Sequence, residues 1–194
     1  NDESAWELAA GAAQRLQRLD EAVSMIERAI RLIPGSAMLN YALGQLRREQ
    51  GNFKDAAVAY QTAHTLGFDS ADLYRNTAES LLESGRSHDA VAFARLGLDR
   101  HSADLELHRV VTRLHFESNS PGDPIEDLII AARKHRTNPS LWETAIGFLK
   151  YLDRKDDQCA LLAEGLASGG PSTPGLQSLE AIGLGDEGRH DDMV

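Results

Sequence analysis

The sequence predicts an all-α fold, a right-handed α-solenoid of stacked antiparallel helix pairs, and three observations predict it. The chain of 194 residues repeats with a period of 34, in copies that begin at Glu3, Ala37 and Ala71. Small residues recur at fixed offsets within each copy: position 20 is Ala22, Ala56 and Ala90, and position 27 is Ala29, Ala63 and Gly97. Between them run apolar stretches of helical period, cut by Pro34-Gly35, Gly51-Asn52, Gly67 and Gly85-Arg86. A period of this length with small residues where helices must cross is the mark of a helical repeat array. No pair of helices in such an array buries its apolar face alone, so stability is shared between neighbours.

The elements follow in order. Helix pairs are predicted over about 4–17 and 20–33, 37–50 and 53–66, 71–84 and 87–100, 105–118 and 124–135, 140–152 and 155–167. Position 4 carries a large or polar group (Trp6, Asn40, Tyr74), and position 24 carries Ile26, Tyr60 and Ala94. The fourth copy has a normal first helix, with His108, Val111 and Leu114 at helical spacing, but 119–124 read Asn-Ser-Pro-Gly-Asp-Pro in place of a short turn. Asp123 as N-cap and Pro124 at the first helical position predict a second helix that starts one residue late. A one-residue shift then sets Ile125, Ile129 and Ala132 at the small and apolar offsets. Trp142 restores the register in a fifth copy beginning at Pro139. A loop at 168–175 leads to a last apolar helix with Leu176, Leu179, Ile182 and Leu184. The expected layout is one array over 1–194, with repeats at about 3–36, 37–70, 71–104, 105–138 and 139–173 and a partial copy at 174–194. Its end has no polar outer face, so a longer chain is expected beyond Val194, and self-association through the C-terminal helix is expected of this segment.

These residues resemble the tetratricopeptide repeat, whose pattern sets Trp, Leu-Gly, Tyr, Ala, Phe, Ala and Pro at the same offsets; Leu43-Gly44 and Pro34 fall on it directly. The resemblance implies that the first helix of each pair lines a concave face and that positions 2, 5, 9 and 12 point into it. Carried over, these positions and their neighbours select Tyr41, Gln45, Arg48, Arg75, Asn76, Glu79, Arg109, Arg113 and Phe116 as the expected peptide groove. Position 5 of the first copy is Glu7 and position 9 is Gly11, where a clamp for carboxy-terminal peptides requires Lys and Asn, so that clamp is not expected. At position 6 only Asn76 matches an asparagine ladder. Two readings of the arginines stand side by side. They pair with Glu49, Glu79 and Glu83 on the same face, or, with Tyr41 and Phe116, they receive an acidic partner segment through bidentate and stacking contacts.

Charge and composition bound the function. Lys and Arg number 20 against 30 Asp and Glu, a net charge of -10. Such a chain lacks the footprint of a nucleic-acid or anionic-membrane binder. No stretch approaches the ~18 apolar residues of a spanning helix. One cysteine, Cys159, excludes an internal disulfide and suits a reducing, cytoplasmic compartment; it is expected as a packed apolar thiol. His101, His108 and His115 recur every seven residues. Neighbours in that series stand ~10 Å apart along a helix, too far to share a metal ion, and they are expected as surface or groove histidines. The glycine pairs have no strand before them and no Lys-Ser/Thr after, so no phosphate cradle is expected. With no catalytic, metal or cofactor constellation, the chain reads as a non-enzymatic bacterial interaction scaffold that binds a peptide or domain. The alternative is the N-terminal substrate-recognition or dimerisation arm of a larger enzyme, such as a 2-oxoglutarate/iron oxygenase or a transferase, with its catalytic domain beyond residue 194.

Overall fold

The computed structural model describes residues 3–117, 123 and 125–167. Among them are ten helices and no strand: α1 (Glu3–Arg15), α2 (Leu19–Leu32), α3 (Ala37–Glu49), α4 (Phe53–Thr65), α5 (Ala71–Glu83), α6 (Ser87–Arg100), α7 (Leu105–Glu117), α8 (Glu126–Lys134), α9 (Pro139–Tyr151) and α10 (Lys155–Ala167). All ten helices of the five expected pairs are present, with limits moved by at most two residues. The expected C-terminal helix, with Leu176, Leu179, Ile182 and Leu184, lies outside the described residues. The helices fall into two compact units, residues 1–121 with α1–α7 and residues 122–194 with α8–α10. No helix among the described residues is long and apolar enough to cross a membrane.

Local chemistry sets the helix ends. Ser36 Oγ accepts from the Leu39 N–H at 3.0 Å and Ser70 Oγ from the Leu73 N–H at 3.1 Å, so α3 and α5 begin on side-chain caps. The turn inside the first, second, third and fifth pairs passes through the left-handed region at one repeating position, Gln17 (φ 59), Gly51 (φ 75), Gly85 (φ 80) and Asp153 (φ 55). Glycine takes that conformation without steric cost, whereas Gln17 and Asp153 hold it against their own Cβ.

In the first unit, each second helix packs back on its partner and forward on the next first helix: α2 touches α1 and α3, α4 touches α3 and α5, and α6 touches α5 and α7. The small residues sit at the crossings. A Cβ on Gly44 would stand 2.5 Å from the Tyr60 ring, and one on Gly97 would stand 2.5 Å from Tyr74 Cβ. Within the second unit, a Cβ on Gly165 would meet the Trp142 ring at 3.0 Å. At these three crossings glycine stands opposite an aromatic ring. A further periodic position, absent from the pattern above, is position 3: Leu39, Leu73, Leu107 and Leu141 are all fully buried. Each such leucine contributes ~1.5–3 kcal/mol by leaving water.

Four expectations need correction. The α8 helix begins at Glu126, two residues later than expected; one oxygen of the Asp123 carboxylate accepts from the Ile125 N–H at 3.1 Å and the other from Arg154 at 2.5 Å. The one-residue shift is not kept along α8. Ile125 and Ala132 are buried, but so are Leu128 and Ala131, which lie 34 residues after Ala94 and Gly97, while Ile129 is half-buried. Cys159 is exposed, since it occupies the outer side of α10 while Leu161 and Leu162 face inward. His108 and His115 are buried rather than superficial; the His108 Nε2 lies 3.0 Å from the Ser102 carbonyl oxygen and so fixes the loop entering α7.

Candidate functional site

The first helices α1, α3, α5 and α7 share one face of the first unit, and a groove of about 1010 Å³ runs across it. Gln14 lines it from α1; Gln45, Arg48 and Glu49 from α3; Glu79, Ser80, Leu82 and Glu83 from α5; Arg113 and Glu117 from α7; and Phe53 from α4. A smaller recess of about 220 Å³ adjoins it between α1 and α3, with Glu7, Gly11, Tyr41 and Gln45 in its wall. Of the residues expected in the groove, Gln45, Arg48, Glu79 and Arg113 line the larger cavity and Tyr41 the smaller one.

The centre of the groove is an ion-pair bridge across three helices. Glu79 of α5 accepts from Arg48 of α3 at 3.2 Å and from Arg113 of α7 at 3.1 Å. The bridge is partly exposed, so each pair is worth only ~0–1 kcal/mol of stability. Its effect is to hold both guanidinium groups in place. Arg75 and Arg109 do not join it. Arg75 pairs with Asp72 and Arg109 with Glu106 at 2.7 Å, each one helical turn back on its own helix. Asn76 is buried, and its amide donates to the Tyr41 hydroxyl at 3.2 Å, so it orients a groove residue instead of facing the groove. Phe116 is half exposed at 49 % and lies outside the lining.

An aromatic floor supports Tyr41. Its ring stacks on Phe68 at 4.5 Å between centroids and tilts against Tyr60 at 5.5 Å. Burial, and then the Asp72 carboxylate, raises the Tyr41 hydroxyl above its ordinary value. Tyr60 is fully buried and its hydroxyl has no hydrogen-bond partner of standard geometry; burial raises it further, with the nearby Arg48 charge opposing. At the other end of the face, Glu7 Oε1 is buried without a hydrogen-bond partner, and desolvation followed by the Glu3 charge raises its carboxyl.

The premise of an acidic partner was a strip of open arginines. Instead, all four arginines are paired, and the lining of the main groove carries Glu49, Glu79, Glu83 and Glu117 against Arg48 and Arg113. Three of those carboxylates fall on one repeat position, Glu49, Glu83 and Glu117, each 34 residues from the next. That periodic glutamate is the signal that a reading focused on arginine overlooks. Glu49 accepts from Gln14, Glu117 lies 3.9 Å from Arg113, and Glu83 makes no ion pair among the described residues.

This arrangement of helices recurs in solved structures. YrrB, described as a TPR protein with an unusual peptide-binding site, superposes with a TM-score of 0.59 at 13 % identity over 96 % of this chain and 92 % of its own. A tetratricopeptide repeat protein from Parabacteroides merdae gives a TM-score of 0.62 at 16 % identity, covering 96 % of this chain and 75 % of that one. The fold is that of the tetratricopeptide repeat. MamA 41-end from Desulfovibrio magneticus RS-1 is similar as well, with a TM-score of 0.59 at 14 % identity over 92 % of this chain and 95 % of its own. No family model matches the sequence, and no curated protein matches it either. At these identities the tetratricopeptide likeness is one of backbone, and the groove residues above are this chain's own.

Proposed function

We propose that this chain is a non-enzymatic interaction scaffold that binds an extended segment of a partner protein along the face of α1, α3, α5 and α7, and that the segment carries basic side chains. The observation that carries the reading is the row of Glu49, Glu83 and Glu117, one carboxylate per repeat on the wall of an open groove. Packed helices stand ~8–10 Å apart, and an extended chain advances ~3.3–3.6 Å per residue. A strand laid across the groove would therefore offer a side chain to successive glutamates at about every third position. Arg48 and Arg113, held by Glu79, supply donors for the strand's carbonyl oxygens, and Gln45 adds an uncharged hydrogen-bonding group. Leu82 and Phe53 give the apolar contact that such a groove needs for affinity. An acidic segment would have to compete with Glu79 for both guanidinium groups, and it would meet three further carboxylates.

Selection from a displayed peptide library tests this. Enrichment of Lys and Arg at intervals of about three residues is expected, and Glu83→Lys/Glu117→Lys should weaken the selected peptides ~10-fold or more and flatten their salt dependence. Enrichment of Asp and Glu, abolished by Arg48→Glu/Arg113→Glu, would overturn the charge assignment in favour of the acidic segment. Peptides whose binding is unmoved by either double variant would overturn the groove itself.

A further inference from the structure

The recess between α1 and α3 has a largely apolar lining, with Ala10, Gly11, Ala42 and Leu46 over the buried Ile26 of α2, and its only charged group is Glu7. Pockets that hold a whole ligand run ~300–1,000 Å³, so a recess of about 220 Å³ is of the size for one side chain. The Glu7 Oε1 atom is buried there with no hydrogen-bond partner among the described residues. Burial and then the Glu3 charge raise the Glu7 carboxyl, and a cation beside it would favour the ionised form that both of them oppose.

The repeat shows why Glu7 is unmatched. Glu7 stands at position 5 of its copy, where Arg75 and Arg109 turn back to Asp72 and Glu106 on their own helices. Tyr41, at the same position, accepts from Asn76, which is position 6 of the following copy. Glu7 has neither kind of partner: one turn back stands Glu3, another acid, and position 6 of the following copy is Ala42, which has no side-chain donor. Position 9 differs too. It carries Gln45, Glu79 and Arg113 in the second, third and fourth copies and Gly11 in the first, where a Cβ would meet no atom within 4 Å. The absent side chains of Gly11 and Ala42 thus open the recess on the groove side of α1, between two helices of the array.

We infer that this recess receives one lysine side chain of the bound segment, its methylenes against Gly11, Ala42 and Leu46 and its ammonium on Glu7 Oε1. The inference rests on the reading of the groove as a site for a basic segment, and it names the anchor of that segment. Lysine fits the recess in both its parts. Its four-carbon stem matches the apolar wall, as such stems do where the charged head finds a polar partner. Its compact ammonium can be met by one inward oxygen, whereas a guanidinium fork is best matched by both oxygens of a carboxylate. The amino terminus of a chain would bring backbone polar groups against the same apolar wall, where they would lose water without gaining partners.

Titration of the isotope-labelled protein with lysine blocked at both backbone ends (the Nα-acetyl methylamide), followed by NMR, tests the inference. The amide signals of Gly11 and Ala42 should shift and saturate. Blocked norleucine, which has an apolar side chain and no ammonium, should bind at least ~10-fold more weakly, and Glu7→Gln should weaken blocked lysine by a similar factor. Gly11→Gln, which returns to the recess a side chain of the kind the second copy carries, should abolish the shifts, with the helical circular dichroism of both variants unchanged. Equal binding of blocked norleucine, binding unmoved by Glu7→Gln, or tighter binding of alanine methylamide, whose only cation is an amino terminus, would each overturn the inference. Selected groove peptides that weaken in Glu83→Lys/Glu117→Lys but not in Glu7→Gln would overturn the recess and leave the groove standing. Blocked lysine held by Glu7 in a protein that selects no peptide would support the pocket and overturn the groove.

Discussion

In the third repeat, Leu73, Asn76, Thr77 and Ser80 are closed off by α4, whereas in the first repeat the equivalent Ala5, Leu8, Ala9 and Ala12 face solvent on α1. Both helices belong to the same periodic pattern and both form over the same span of their copy. The difference lies in the neighbour: among the described residues α5 has one on both sides and α1 on one. In a stacked array, then, burial is a property of the contact between repeats. A pattern within one copy fixes which residues could be buried, and the next copy decides whether they are. Position 3 is a buried leucine in four copies and, among the described residues, an exposed alanine in the first.

The contrast is broken most directly at a buried leucine. Leu73→Ala in the third repeat should cost ~2–5 kcal/mol, since it removes a fully buried side chain and leaves a cavity between α4 and α5. Leu8→Ala in the first repeat should stay within ~0.5 kcal/mol. Urea unfolding of both variants measures this. Similar losses would mean that α1 is covered in solution to the same degree as α5.

A second test adds a methyl group instead of removing one. In the third repeat, Gly97→Ala would place a Cβ 2.5 Å from Tyr74 Cβ and 2.9 Å from Leu107 Cδ2, on both partners of α6 at once. The displacement should cost ~1–3 kcal/mol, against the ~1 kcal/mol that alanine ordinarily gains over glycine in a helix. Gly11→Ala in α1 meets no atom within 4 Å and should show that gain alone. Thermal unfolding of the pair should move the midpoint in opposite directions.

The helices were legible because the signals that delimit them are local. Gly51 and Gly85 mark the turns, Ser36 and Ser70 the starts, and the period of 34 repeats each signal in register. Where a local signal competed with a distant one, the reading failed. Asp123 reads as a helix cap in isolation, and one of its oxygens does accept from the Ile125 N–H, but the other pairs with Arg154, 31 residues away, and α8 begins only at Glu126. The groove was half legible for the same reason. Positions 9 and 12 carry Gln45, Arg48, Glu79 and Arg113, which line one cavity because which side of a helix faces it follows from the period. Which charges remain open does not follow from it. Arg75 and Arg109 share a position with Tyr41, yet each turns back to an acid three residues earlier, and the choice rests on side-chain geometry. Position 13 held the more useful pattern in Glu49, Glu83 and Glu117, visible from sequence once the acids are aligned with the same care as the arginines.

The smallest expected effect concerns the turn between paired helices. The third repeat makes it with Gly85 at φ 80, and the first makes it with Gln17 at φ 59. A left-handed backbone costs a residue with a Cβ ~1–2 kcal/mol, while glycine in the unfolded chain has more freedom to lose, ~0.5–1 kcal/mol. The two oppose each other, so Gln17→Gly should stabilise the protein by only ~0.5 kcal/mol, and Gly85→Ala should destabilise it by ~1 kcal/mol. The readout is the urea midpoint at constant slope, since neither variant changes the surface exposed on unfolding. Loss of stability in Gln17→Gly would show that the glutamine side chain contributes more to the first turn than its backbone strain removes. The first repeat would then be stabilised by its own loop to a degree that the third, with a partner on each side, does not need.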